Sequence, residues 1–253
     1  MKSKVFAVRT WKEMMRDPLS YIFCLGFPIV MLVIMSIVDQ SIPTEAGPQV
    51  FHLPNLAPGI AYFGLTFVML FACIQVSKDR ATALLLRLYA SPMKSFDYIL
   101  GYTMPMVILA VVQTVICFCA SVIVGVCTGV SLSVVDILLS ALALLPSMFL
   151  FVGFGILFGT LVGEKAAPGV CSILISVAGM IGGIWMDVES IGGVLAKVAK
   201  VLPFYHGVTL ARLPFRETSE GAVEHLLWTL ICGVLVYGLA VWVFRSKMKK
   251  DIR

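Results

Sequence analysis

The side chains that could carry out chemistry are few in this sequence, and their spacing ties none of them together. Asp187, Glu189 and His206 supply two acids and a histidine, the residue types that an enzyme acting on lipid near a membrane surface would need. No spacing pattern links the three. His206 stands alone as a histidine in its region, which favours a hydrogen-bonded structural role over a ligand role. We therefore predict no catalytic residues and no metal site, with a lipid-modifying enzyme as the alternative.

The seven cysteines give no stronger indication of metal or redox chemistry. All of them lie in apolar stretches or at the ends of such stretches, and no C-x-x-C pair occurs. Cys117 and Cys119 are two residues apart, so on a helix they point to different faces. We interpret the cysteines as small packing residues and expect no cofactor in this chain.

The sequence also contains no evident source of energy for transport. The polar residues deep inside the apolar stretches are neutral, such as Gln75, Gln113 and Ser147. Ion-coupled transporters typically place a carboxylate, histidine or lysine at such positions, and charge-selective channels use rings of charge. The phosphate-binding pattern G-x-x-x-x-G-K-[ST] does not occur. If the protein transports a substrate, another polypeptide must supply the energy.

These residues lie in a chain dominated by long apolar stretches. Apolar residues make up 60% of the 253 positions and charged residues only 13%, against about a quarter in a soluble domain. Six stretches reach the roughly 20 residues that cross a bilayer. We predict an all-α, multi-pass membrane protein that forms a single transmembrane domain over residues 1–253, with spans at about 19–38, 57–76, 98–127, 134–162, 166–186 and 222–244.

The positive charges are distributed unevenly along the chain. If the N-terminus is inside, all but four of the 19 lysines and arginines fall on the inner side, and the exceptions are Lys197, Lys200, Arg212 and Arg216. Lysine and arginine near span ends favour the cytoplasmic side. We therefore expect a cell-membrane protein with both termini in the cytoplasm, and we interpret the basic clusters as topology signals rather than as a nucleic-acid surface.

The first residues predict a helix that lies on the membrane surface. Residues 4–16 place four apolar side chains on one helical side and basic side chains on the others: Val5, Val8, Trp11 and Met15 form the apolar side. This amphipathic pattern is typical of interfacial helices. Trp11 would then lie at the level of the lipid headgroups.

The connection between the second and third predicted spans, residues 77–97, has a second helical pattern. Its apolar residues form one stripe that ends at Ser91-Pro92, and they are Leu84, Leu85, Leu88 and Tyr89. Two interpretations are open. The segment is either a short helix that lies on the membrane surface or a coupling helix that inserts into a groove on a soluble motor protein.

The external connection, residues 187–221, is too apolar for a free loop. Apolar residues recur at helical spacing from Ile191 to Leu202, and Pro203 ends this run. We predict two short helices folded back into the outer leaflet. They would form either an external gate over the exit path or a lipid-facing plug that only packs, and the gate residues would be Leu195, Val198, Leu202, Pro203, Phe204 and Tyr205.

Residues 79–92 resemble a motif of the permease subunits of ABC transporters of the type-2 exporter class, which includes multidrug, lipid and polysaccharide exporters. They read D-R-A-T-A-L-L-L-R-L-Y-A-S-P, similar to the family's E-R-E-x-G-T-L-E-R-L-x-A-[TS]-P. The chain departs from this pattern at Ala81, Ala83 and Leu86, where an acid, a glycine and an acid are usual. Some acidic contacts that the family's loop could offer its ATPase are therefore missing.

A second motif, Leu202-Pro203-Phe204-Tyr205 with Arg212 nine residues after the proline, resembles the family's pattern before the last span. With the six spans, the resemblance covers essentially the whole chain. It implies two membrane subunits, either two copies of this chain or this chain and a paralogue. Separate ATP-binding cassette subunits would hold ATP and Mg²⁺, so this chain itself would be no enzyme.

The resemblance also implies which residues receive the force. Closure of the ATP-binding dimer would push on the coupling helix and tilt the spans, exporting a drug, a peptide, a glycolipid or another amphipathic cargo. The contact residues would be Arg87, Leu88, Tyr89, Ser91 and Pro92, with a second contact at Lys165 in the turn between the fourth and fifth spans. A third hypothesis is a membrane partner that binds an ATPase without transporting anything.

Overall fold

The computed structural model describes residues 2–42, 49–82, 95–216 and 219–251, and no β-strand occurs in these ranges. The helices follow the apolar and amphipathic stretches of the sequence. In chain order the main ones are α1 (Lys2–Met14), α2 (Ile22–Ser41), α3 (Leu53–Ala81), α4 (Ser95–Thr128), α5 (Val134–Leu161), α6 (Ala167–Ile181), α7 (Gly193–Ala199), α8 (Pro203–Arg212) and α9 (Ala222–Asp251).

In the described ranges, five helices are long and apolar enough to cross a membrane, namely α2 to α5 and α9. The predicted all-helical membrane protein is confirmed to this extent. The predicted fifth span at residues 166–186 is not confirmed, because α6 has only 15 residues and is therefore about 22 Å long, against roughly 30 Å of hydrocarbon. The chain turns at Gly182 and Gly183, although the apolar run continues beyond them. Gly183 has a φ of 78°, a left-handed conformation that glycine adopts without steric cost.

Helix α3 forms the centre of the bundle, and Tyr62 at its middle has no exposed surface. Two glycines of α5 allow the backbones of α3 and α5 to approach closely. A Cβ atom at Gly155 would lie 2.6 Å from the carbonyl oxygen of Met69, and one at Gly159 would lie 2.6 Å from the carbonyl oxygen of Cys73. Small residues at such positions set the distance between packed helices in membranes.

Helix α1 packs against the start of α4. The ring of Phe6 lies edge-on to Tyr98 and Tyr102, with centroid distances of 5.5 and 4.9 Å. Val5 and Val8, on the side that the sequence marks as apolar, stay exposed. The helix therefore has one side buried in the protein and a second apolar side that is free to contact lipid, which is compatible with the predicted interfacial position.

The long helices other than α3 carry rows of exposed apolar side chains. On α9, Val234 and Trp242 are 72% and 68% exposed, and on α4 Ile123 and Val126 are 66% and 80% exposed. Such continuous apolar surfaces mark contact with a membrane or another protein. The charged side chains described below lie at the two ends of the bundle.

Candidate functional site

The segment predicted to be the coupling helix lies outside the described residues. Its five predicted contact residues fall within residues 83–94, and their roles stay predictions: Arg87, Leu88, Tyr89, Ser91 and Pro92. Lys165 is described, and it is exposed in the short turn between α5 and α6. The last turns of α3, which lead into residues 83–94, hold a cluster of charged groups.

Arg80, at the end of α3, binds the end of α5. Its Nη1 donates hydrogen bonds to the carbonyl oxygens of Gly159 at 3.3 Å and Val162 at 3.4 Å, and also to that of Thr160. The last carbonyl groups of a helix have no partners within the helix, and a cation at this end is favoured by the helix dipole. Arg80 therefore ties α3 to α5 three residues before the undescribed segment begins.

Asp79, the residue before Arg80, is the centre of a buried polar network. Its side chain is almost fully buried and accepts a hydrogen bond from the hydroxyl of Tyr102 at 2.8 Å. Both terminal nitrogens of Arg9 lie 3.4 Å from its carboxylate oxygens. A buried carboxylate is tolerated when it is paired and hydrogen-bonded in this way. Asp79 thus connects α1 and α4 to the end of α3.

Glu13 extends the same network along α1. It accepts hydrogen bonds from Arg9 and from the side-chain amide of Gln75, the latter at 3.1 Å. Burial lowers the pKa of Arg9, but the nearby carboxylates of Asp79 and Glu13 outweigh burial and raise it above its usual value. Arg9 is therefore a permanent cation between two acids. The cluster joins α1, α3 and α4 through charge-assisted hydrogen bonds, the strong class of such bonds.

A cavity of about 580 Å³ opens beside this network. Its lining includes acidic and basic side chains from three parts of the chain, among them Arg9, Glu13, Lys78, Asp79 and Glu164, together with Thr82. Thr82 is the last described residue before residues 83–94, so the cavity extends to the described end of the chain after α3. A lining of both charges suits polar and charged groups rather than an apolar ligand.

At the opposite end of the bundle, Arg212 of the second family-like motif is buried. Its Nε donates to the carbonyl oxygen of Asn55 at 3.0 Å, and its Nη1 donates to that of Gly183 at 2.8 Å. Among the described residues, its Nη2 has no hydrogen-bond partner. Burial, and then the charge of Arg216, lower the pKa of Arg212. This cation fastens α8 to the start of α3 and to the turn after α6.

The predicted gate residues do not share one environment. On α8, Pro203, Phe204 and Tyr205 are buried, and the ring of Phe204 stacks on Phe151 of α5 with centroids 6.0 Å apart. Helix α8 also lies close to α3, because a Cβ atom at Gly207 would be 2.5 Å from the ring of Tyr62. The second predicted helix is therefore part of the core of the bundle.

The first predicted helix lies nearer the surface. Val198 on α7 is 42% exposed, whereas Leu195 and Leu202 are partly buried against neighbouring apolar side chains. A short helical turn at Val188–Ile191 precedes α7, and Asp187 caps it by accepting hydrogen bonds from the backbone of Glu189 and Ser190. The gate and plug interpretations of these residues both stay predictions.

The prediction that His206 is hydrogen-bonded is confirmed, and in three dimensions it also pairs with a second histidine. Its Nδ1 lies 2.7 Å from Nδ1 of His225, and its Nε2 lies 2.9 Å from the carbonyl oxygen of Lys200. The Nε2–H of His206 therefore donates to that carbonyl, and its Nδ1 accepts from His225. The two histidines are far apart in sequence, so no local pattern could have paired them.

The acids that a lipid-modifying enzyme would use are already engaged in local structure. The hydrogen bond from the side chain of Ser190, together with those from the backbone amides of Glu189 and Ser190, lowers the pKa of Asp187. Burial, and then the Glu189 carboxylate, raise the pKa of Tyr205 to about 12. Asp187 and Glu189 line a cavity of about 30 Å³, the size of a water molecule or two, whose lining does not include His206. In the described ranges, no group of three or more possible metal ligands occurs.

The long apolar helices and the charged cluster at one end define the chain as a multi-pass helical membrane protein. A family model described as ABC-2 type transporter matches residues 2–215. The chain therefore belongs to the ABC-2 type transporter family, and the resemblance seen in the two motifs is confirmed. The matched domain is a membrane permease domain rather than a catalytic one, and such permeases generally work with an ATP-binding cassette subunit. No curated protein matches the chain.

Proposed function

We propose that this chain is the membrane subunit of an ATP-driven exporter. Two copies of the chain, or one copy and a paralogue, would form the translocation path, and separate ATP-binding cassette subunits would bind ATP and Mg²⁺ in the cytoplasm. The cargo would be amphipathic or lipid-like, such as a drug, a peptide or a glycolipid. The family match supports the transport role, and the apolar interior of the bundle supports this class of cargo.

The arrangement around Arg80 and Asp79 is the observation that carries the coupling part of the proposal. These two residues lie at the end of α3, close to residues 83–94, where the ATPase would bind. Arg80 bonds to the end of α5, and Asp79 bonds to Arg9 of α1 and Tyr102 of α4. A push on residues 83–94 would therefore reach four helices together instead of α3 alone.

The proposal places both termini in the cytoplasm and requires an even number of crossings. The uneven distribution of lysine and arginine supports this orientation. Five helices in the part of the chain that the structure describes are long enough to cross the membrane, so one further crossing is needed. In this proposal α6 and residues 182–186 together form it, because these residues extend the polypeptide beyond the 15 residues of the helix. In a variant whose seven native cysteines are replaced by alanine, a single cysteine introduced at Lys197 or Glu220 should react with a membrane-impermeant reagent in intact cells, and one at Lys247 should not.

The function is tested by reconstitution. The chain should be purified with a co-expressed ATP-binding cassette subunit, placed in proteoliposomes, and screened for cargo that stimulates ATP hydrolysis and accumulates across the bilayer. Replacing Arg87 and Leu88 by Asp should abolish transport while the complex stays intact, and Lys197→Asp, outside this segment, is the matched control. Transport by the chain alone, driven by an ion gradient without an ATPase, would overturn the proposal.

A further inference from the structure

We propose that a groove between α4, α5 and α9 binds one acyl chain of an anionic phospholipid, with the lipid phosphate at Arg245. The groove has a volume of about 510 Å³, and its lining includes no residue of the charged cluster or of the external connection. Its walls come from the start of α4, the middle of α5 and a long stretch of α9. No step of the proposed transport cycle uses it.

The groove has the length of one lipid leaflet. Helix α9 contributes one face to it, from Leu230 to Val241 at helical spacing. At 1.5 Å per residue this face is about 16 Å long, close to half of the roughly 30 Å hydrocarbon core. The α4 wall runs from Phe96 to Thr103, the end of α4 that follows residues 83–94. The groove therefore lies in the leaflet on that side of the membrane, which is the cytoplasmic leaflet in the proposed orientation.

Two glycines keep the groove open. A Cβ atom added at Gly233 or Gly238 would meet no other atom within 4 Å. The aromatic side chain that α9 contributes to the groove, Tyr237, lies against α5, because a Cβ atom at Gly153 would be 2.9 Å from its ring. Space that the protein leaves unfilled on a membrane-facing flank must be filled by another molecule.

The two hydroxyl groups that line the groove already have hydrogen-bond partners within the protein. The hydroxyl of Thr103 donates to the carbonyl oxygen of Ile99 at 2.8 Å, and the hydroxyl of Tyr237 lies 3.3 Å from the Thr103 oxygen, to which it donates. The rest of the lining is apolar. A sugar or peptide group would lose its hydrogen bonds to water here without replacing them. A hydrocarbon chain has no such cost.

The charge at the end of the groove favours an anionic headgroup. Arg245 is exposed and follows Val241 by one turn of α9, so it continues the groove-lining face. The acid nearest the start of the α4 wall, Asp97, accepts a hydrogen bond from Ser3 at 3.0 Å. A lipid whose chain lies in the groove would therefore bring its phosphate to the Arg245 guanidinium, a group suited to phosphate.

The test uses the full chain in mild detergent and native mass spectrometry with two lipids of identical acyl chains, dioleoyl phosphatidylglycerol and dioleoyl phosphatidylcholine. Wild type should retain one phosphatidylglycerol per chain at least five-fold more than phosphatidylcholine. Gly238→Leu and Gly233→Leu, whose new Cβ atoms would meet no neighbour within 4 Å, should fill the groove and reduce retention of both lipids at least five-fold. Arg245→Gln should remove the preference for phosphatidylglycerol and reduce retention of phosphatidylcholine less, because choline already balances the charge of its phosphate. Gly169→Leu, on α6 and also without neighbours within 4 Å, is the matched control.

Size-exclusion profiles show whether each variant is folded. Arg245→Gln leaves the groove itself unchanged, so it tests the headgroup contact separately from the acyl-chain contact. Unchanged lipid retention in both glycine variants would overturn the proposal. So would a loss of dimer instead of lipid in these variants, because the groove would then hold a second copy of the chain. Displacement of the lipid by a transported cargo would equally overturn it and assign the groove to the cargo path.

Discussion

The side chain of Arg80 donates a hydrogen bond to the carbonyl oxygen of Thr160, a residue 80 positions further along the chain. This bond joins the ends of α3 and α5 on the side of the bundle where residues 83–94 leave α3. The same two helices also pack closely in the last turns of α5, at Gly155 and Gly159. Helices α3 and α5 should therefore move as one body when force is applied to residues 83–94.

The first prediction concerns Arg80→Gln. This change removes the cation that binds three carbonyl oxygens, and one hydrogen bond to a charged group contributes about 1.5–3 kcal/mol. We expect transport per ATP hydrolysed to fall about ten-fold while the ATPase subunit stays bound, because force would reach α3 without α5. Transport and phosphate release measured in the same proteoliposomes give this ratio.

Lys78→Gln is the matched control for Arg80→Gln. Lys78 is a cation in the same turn of α3, but it is exposed. If both variants lost transport to the same extent, the positive charge at this end would matter and the bond to α5 would not. If Arg80→Gln retained the wild-type ratio, the proposed route from residues 83–94 to α5 would be wrong.

The second prediction concerns the network around Asp79. Asp79→Asn leaves the Arg9 guanidinium without one of its two acids in a partly buried site, and breaking a buried pair costs about 3–5 kcal/mol. We expect about 2–3 kcal/mol, less than that range, because Arg9 is 29% exposed and keeps Glu13. Tyr102→Phe removes one hydrogen bond to the Asp79 carboxylate and should cost about 1.5–3 kcal/mol, the range for bonds to charged groups.

Thermal unfolding in detergent, followed by size-exclusion chromatography of the heated samples, ranks these variants. Glu164→Gln is the control, since Glu164 is exposed at the rim of the same cavity and surface changes stay within about 0.5 kcal/mol. The double variant Asp79→Asn, Tyr102→Phe should be less destabilised than the sum of the two single changes, because Asp79→Asn already weakens the bond from Tyr102 by making its acceptor neutral. Strict additivity would show that the two side chains do not interact.

The sequence was sufficient for the membrane class and for the family because both depend on local patterns. Hydropathy is read along the chain, and the motif of residues 79–92 is continuous. Hydropathy overestimated the length of α6, because apolar residues continue past the turn at Gly183 where the helix has already ended. Hydropathy records how apolar a stretch is, whereas the end of a helix depends on the backbone conformation of one or two residues.

The polar contacts could not be predicted because their partners are distant in sequence. Arg212 was placed in the external connection by its position in the sequence, and nothing there indicated that it is buried and bonds to Asn55, 157 positions away. His206 was assigned a hydrogen bond, but its partner His225 lies on another helix. A neutral residue such as Gln75 or a charged one such as Asp79 gives no indication of its partner until the helices are assembled.

The third prediction concerns the contact between α3 and α5. In Gly155→Ala the new Cβ atom would lie 2.6 Å from the carbonyl oxygen of Met69 and from the Cβ atom of Ala72, so the helices must separate. Overpacking of this kind costs about 1–3 kcal/mol. Gly169→Ala meets no neighbour within 4 Å and should be neutral or stabilising, because alanine favours helix by about 1 kcal/mol.

Both alanine variants can be compared with wild type by thermal unfolding in the same detergent. A lower midpoint for Gly155→Ala together with an unchanged or higher midpoint for Gly169→Ala is the expected result. Equal midpoints for the two variants would mean that α3 and α5 are further apart than described.

The last prediction uses the ionisation of Tyr205 to test whether α8 is buried. Burial and then the Glu189 carboxylate raise the pKa of Tyr205 to about 12, from an ordinary value of 10.0. A raised pKa means that the folded protein favours the neutral phenol. The resulting stabilisation is fully present below pH 10.0 and is lost as the pH rises through about 12. The difference in phenolate absorbance between wild type and Tyr205→Phe isolates this one group during an alkaline titration.

Glu189→Gln separates the two causes. Because burial is the larger cause, the pKa of Tyr205 should fall in this variant but stay above 10.0. Circular dichroism at each pH confirms that the helices are intact over the range used. A Tyr205 that titrated near 10.0 in the folded wild-type protein would place α8 in water, and neither the core position of Phe204 nor a gate built on this helix would then be tenable.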